Sequence, residues 1–197
     1  MLMLELEAKL IEIGKRYAAI GIHVSNAYAS EQARLQLDLV LSSERLCSEE
    51  GTSESLAAII RIAELTKAHK DAFQKILAAA SSENAAVLSA LPDAEKSERL
   101  AKLAETLNRH LASQSAFYCA RDQWIDAATK ICDLVQSCRG TAVIGETVQF
   151  ASDEECDEFE RQMSRIEDAH QKEVCLHNEK IDRLSKSLSI LGIQLAS

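Results

Sequence analysis

The architecture of this chain turns on Leu91-Pro92-Asp93. The tripeptide holds the single proline among 197 residues, and the surrounding stretch 53–138 contains no glycine. Proline lacks an N–H and crowds the turn before it, yet it is welcome at a first helical position. Two readings follow. In one, 53–138 is a single helix kinked at Pro92, about 130 Å long at 1.5 Å per residue. In the other the chain turns there, giving four helices of similar length in an up-down-up-down bundle.

Outward from Pro92 the breakers are sparse. Residues 2–49 contain Gly14 and Gly21 and end at Glu49-Glu50-Gly51-Thr52, which reads as a C-cap glycine followed by a Thr/Ser N-cap. Residues 139–152 hold Gly140, Gly145 and a short β-branched run, and read as a loop. Asp153 to Leu191 has no breaker. The expectation is one all-α domain over 1–197, with long antiparallel helices at about 2–49, 53–138 and 153–195. Met1-Leu-Met-Leu-Glu-Leu6 enters the helical pattern without a cap, which reads as a piece of a longer protein with an upstream domain missing.

Apolar spacing supports the helices. Met3, Leu6, Leu10, Ile13, Tyr17, Ile20, Val24 and Ala27 step by three and four, and Leu35, Leu39 and Leu46 resume the stripe. Leu100, Leu103, Leu107, His110, Gln114, Phe117, Arg121, Trp124, Ala128, Ile131, Val135 and Cys138 alternate the same way. In the last segment Phe159, Met163, Ile166, His170, Val174, His177, Ile181, Leu184, Leu188, Leu191 and Leu195 do so with one longer step. Such sustained spacing marks coiled-coil-like packing.

Composition narrows the function. Six Gly and one Pro argue against turn-rich β or βαβ folds, and 47% hydrophobic content with clear periodicity argues against disorder. No apolar run reaches a membrane span and no signal-peptide pattern is present, which points to a soluble cytoplasmic protein. A net charge of −9 argues against nucleic-acid binding.

Few residues suggest chemistry. Cys47, Cys119, Cys132, Cys138, Cys156 and Cys175 form no CxxC pair and match no zinc spacing, so they read as thiols in a reducing compartment. Glu167-Asp-Ala-His170 has di-iron carboxylate spacing, but no second ExxH accompanies it. His170 and His177 read instead as polar layers in a helical seam. Arg121, one turn before Trp124, reads as an arginine stacked at a helix contact. The acids Asp153, Glu154, Glu155, Asp157, Glu158 and Glu160 suit a helix N-terminus and offer a site for a basic protein partner. No phosphate loop or catalytic constellation is present. The expectation is a non-enzyme without metal or cofactor.

Several strings carry a family resemblance. Leu46-Cys-Ser-Glu-Glu-Gly-Thr-Ser-Glu-Ser-Leu56 followed by Ile60-Arg-Ile-Ala-Glu-Leu65, Ala116-Phe-Tyr-Cys-Ala-Arg-Asp-Gln-Trp124-Ile-Asp-Ala127, and Phe159-Glu-Arg161, Arg165-Ile166, Lys172-Glu-Val174 and Glu179-Lys180 resemble the BAR domain of retromer-associated sorting nexins. The resemblance implies a three-helix coiled coil kinked at Pro92, preceded by a PX domain. It implies dimerisation, homo- or heteromeric, into a module for membrane-curvature binding and endosomal cargo sorting, peripheral on the endosome. Its dimer interface would be Leu39, Leu46, Leu56, Ile59, Ile60, Phe73, Ile76, Leu77, Leu184, Leu188 and Leu191. Lys130, Arg139, Arg161, Arg165 and Lys172 would meet anionic lipid headgroups. Where family members carry a basic tip, 139–152 has one Arg and one Glu, so intrinsic lipid binding would be weak. The other reading is a stand-alone acidic helical bundle acting as a protein–protein adaptor, chaperone or inhibitor.

Overall fold

A computed structural model describes residues 2–138, 142–144 and 147–190. The protein is all-α. Its elements are α1 (Leu2–Arg34), α2 (Ser43–Leu46), α3 (Glu49–Leu88), α4 (Asp93–Ser137), β1 (Ala142–Ile144), β2 (Thr147–Gln149) and α5 (Asp153–Ile190). The stretch read as a plain loop therefore carries an antiparallel hairpin, pairing Ala142 with Gln149 and Ile144 with Thr147.

The helix does not run through Pro92, so the kinked reading is corrected. α3 ends at Leu88, and the Leu91 amide folds back on the Leu88 carbonyl at 3.1 Å. Residues ahead of proline avoid the helical region, which favours stopping there. The Pro92 carbonyl then accepts from the Lys96 amide at 2.9 Å, and Asp93 and Glu95 place negative charge in the first turn of α4.

The first helix is also shorter than the predicted 2–49. It stops at Arg34, and Gln36 adopts φ 48°, which no α-helix continues through. Leu35-Gln-Leu-Asp-Leu39 alternates with period two, which packs poorly as a helix. Ser42 then caps α2 and Ser48 caps α3, its Oγ accepting from the Gly51 amide at 3.0 Å. Gly51 is thus inside the first turn of α3 rather than at a helix end. The buried Thr52 hydroxyl donates to the Ser48 carbonyl at 2.9 Å and lies 3.2 Å from the Arg45 carbonyl, tying α2 to α3.

Gly51 is there for close approach. A Cβ at this position would lie 2.6 Å from both Cα and the carbonyl oxygen of Arg45. Alanine for glycine inside a helix ordinarily gains about 0.5–1 kcal/mol. Gly51→Ala is expected instead to lose about 1–3 kcal/mol, because backbone must move. Urea denaturation checks this; a gain in stability would mean that the α2–α3 connection shifts freely.

The described residues form two compact units. One comprises 2–27, 69–116 and 176–190. Its core is Leu6, Leu88 and Leu91 with Leu10, Val87, Leu100 and Leu103 around them. Tyr17 donates to Glu83 at 2.6 Å, and Gly21 faces Phe73, so α1 and α3 run antiparallel there. Leu88 sharing a core with Leu100 and Leu103 shows the chain reversing at Pro92.

The other unit comprises 28–68, 117–138, 142–144 and 147–175. Val40, Leu46, Ile59, Ala128, Ile131, Cys132 and Val135 form its core, with Trp124, Phe150, Phe159 and Ile166 against it. Arg121 meets Glu173 and Asp126 meets Arg165, so α4 and α5 are antiparallel in this unit.

Candidate interaction surface

Residues with a proposed role divide between the interior and the surface of the chain itself. Leu46 and Ile59 are 2% exposed, inside the core of their own unit. Each is covered by residues of its own chain. Leu56 packs against the same core. Ile76 and Leu77 are half-buried, and Phe73 meets His69 in a tilted contact, ring centroids 4.9 Å apart and planes at 57°. Leu39 and Ile60 are exposed, at 40% and 61%. The side chains of Leu184 and Leu188, and all of Leu191 and Arg139, lie outside the described residues.

The cations assigned to lipid are mostly engaged with carboxylates. Asp126 accepts from Lys130 at 3.0 Å and from Arg165 at 2.8 Å, and these two bonds hold its carboxyl below the usual range. Arg161 pairs with Glu158, which also accepts from Gln162 at 2.6 Å. Lys172 is exposed.

The polar centre of this unit lies beneath α5. Arg121 is buried, and its guanidinium donates to Glu173 at 2.7 Å and reaches Gln32 at 3.4 Å. It also lies 5.9 Å from the centre of the Trp124 ring, the neighbour that sequence spacing indicated. Burial pushes the Glu173 carboxyl up, while Arg121 and His170 pull it down. Arg121 Nε and Glu173 Oε1 have no hydrogen-bond partner among the described residues. Sequence reading missed Glu173, whose polar type disguised a core position.

Glu173 changes the face that α5 turns inward. In this unit its buried positions are Gln162 and Ala169, with Glu173 nearly so. Of the stripe expected in the seam, Phe159 and Ile166 pack on the core, whereas Met163, His170 and Val174 turn outward. Met163 is 38% exposed, Val174 43%, and His170 and His177 are also exposed. The two histidines are therefore not buried seam layers: Arg121 on α4 draws Glu173 inward, and Gln162 is held within α5 by Glu158 and Arg165. At 3.6 residues per turn Met163, His170 and Val174 fall within about 40° of one another, with Glu160 and Glu167 along one edge.

The acidic run opens the same helix. Ser152 and Glu155 form a reciprocal capping box, the Glu155 amide donating to Ser152 Oγ and the Ser152 amide to Glu155, both at 3.3 Å. Asp153, Glu154, Asp157 and Glu160 stay exposed. Among the described residues no group of three or more His, Cys, Asp or Glu could hold a metal ion, and no helix is long and apolar enough to cross a membrane. No family model, curated protein or solved structure matches the chain.

Proposed function

We propose that this chain is a non-catalytic interaction module, an acidic helical bundle that binds a basic amphipathic helix of a partner protein on α5. The observation that carries the reading is the stripe of Met163, His170 and Val174, which the fold leaves exposed beside Glu160 and Glu167. An exposed stripe with one acidic edge complements a helix with an apolar face and Lys or Arg along one side of it. The acids in the first turn of α5 extend the same charge. Sorting-nexin-like membrane sculpting draws support only from sequence resemblance, while the turn at Pro92 and the in-chain burial of Leu46 and Ile59 favour the bundle.

The test is fluorescence anisotropy with a synthetic Lys/Leu amphipathic helical peptide and its Glu/Leu counterpart. Wild type is expected to bind the basic peptide and not the acidic one. The neutral double variant Met163→Gln/Val174→Ser should bind it about tenfold more weakly. Equal binding by variant and wild type would reduce the interaction to diffuse charge and overturn the reading. So would a homodimer, seen by light scattering, that the same variant dissolves.

A further inference from the structure

Two cysteines far apart in sequence line one cleft. Cys47 caps the C-terminal end of α2, and Cys138 follows directly on α4. Both open onto a cleft of about 490 Å³ between the start of α3 and the end of α4, with Leu46, Thr52 and Val135 at its back. All of these residues belong to the same compact unit. The other thiols are placed differently. Cys132 is buried and does not line the cleft, and desolvation raises its thiol to about 11. Desolvation raises the thiols of Cys47 and Cys138 as well, so exchange at this pair proceeds from a minor thiolate fraction. Cys119, Cys156 and Cys175 are exposed on helices α4 and α5 and do not line this cleft.

We propose that Cys47 and Cys138 are a redox pair that closes this cleft with a reversible disulfide, formed by exchange with a low-molecular-weight disulfide such as oxidised glutathione. The thiolate of Cys47 attacks one glutathione sulfur, breaking its S–S bond, forming a mixed disulfide and expelling one glutathione thiolate. The Cys138 thiolate then attacks the Cys47 sulfur and expels the second. Two protein thiols are oxidised, one glutathione disulfide is reduced to two thiols, and the released protons go to the leaving thiolates and solvent. Both cysteines sit at helix ends, where backbone adjusts more readily than inside a helix. Cys138 exchanges a hydrogen bond with the Glu155 carboxylate for the new covalent bond. The product ties the α2–α3 turn to the end of α4.

The experiment treats the full chain with oxidised glutathione, blocks remaining thiols with iodoacetamide and maps tryptic peptides. The expected product is a dithiothreitol-sensitive cross-link between the peptides bearing Cys47 and Cys138. Tandem fragmentation separates Cys138 from Cys132, which share a peptide. The oxidised chain should melt about 5–15 °C higher than the reduced one. Cys138→Ser should halt at a glutathione adduct on Cys47 and lose that shift. Linkage of Cys47 to any other cysteine, or separate adducts on Cys47 and Cys138 in wild type, would overturn the proposal.

Discussion

Arg121→Ala is expected to destabilise the protein by about 3–5 kcal/mol, because it leaves the Glu173 carboxylate in a core position without its counterion. The side chains of Arg121 and Glu173 are only 7% and 13% exposed, so water cannot replace the lost charge. Removing both partners should behave differently. Arg121→Met/Glu173→Leu keeps the volume and strips out both desolvation penalties, so its stability should lie near wild type or above it. Urea denaturation of the two single variants and the double gives the coupling directly. A loss below about 1 kcal/mol for Arg121→Ala would place the pair with solvated surface bridges. If the double variant is as stable as expected, the pair's role is to set how α5 registers against α4, since only one register brings Glu173 to Arg121.

The second large effect separates two adjacent isoleucines. Ile59→Ala should cost about 2–5 kcal/mol, since it opens a cavity among Val40, Leu46, Ile131 and Val135. Ile60→Ala should stay within about 0.5 kcal/mol, because its side chain already faces solvent. Sequence resemblance treats both as parts of one dimer interface. Were Ile60 covered by a second copy, its replacement would lower apparent stability in a concentration-dependent way. Thermal unfolding at two protein concentrations distinguishes the cases.

The difference between legible and illegible positions has a physical pattern. On α4 the three-and-four spacing leads straight to Arg121, Ala128, Ile131 and Val135, all buried as that spacing implies. There the core is built from apolar side chains, and hydropathy reports it. On α5 the same rule selects Phe159 and Ile166, which pack on the core, but also Met163, His170 and Val174, which are exposed, and it passes over Gln162, Ala169 and Glu173, which face inward. The inward face is stabilised by hydrogen bonds and charge from Arg121 and Arg165, which hydropathy does not register. The end of α1 fails for another reason. Leu35, Leu39 and Leu46 continue a helical count, but Leu35-Gln-Leu-Asp-Leu39 also alternates, and the chain follows local backbone geometry at Gln36. Pro92 was readable as a breaker but not as a kink or a turn. The contacts of Leu88 and Leu91 with Leu6, distant in sequence, settle it.

The polar underside of α5 also sets the order in which this unit comes apart. Within Asp153 to Cys175 the buried residues are Gln162 and Ala169, whereas α4 buries Tyr118, Ala127, Ala128, Ile131, Cys132 and Val135. Lifting that stretch of α5 costs the packing of Phe159 and Ile166 on the core but returns Gln162, Glu173 and Arg121 to water, which solvates them well. With fewer fully buried apolar residues than α4, it is expected to have the lower local opening free energy of the two. The stretch that bears the exposed stripe is thus anchored by fewer fully buried apolar side chains than the helix it packs on.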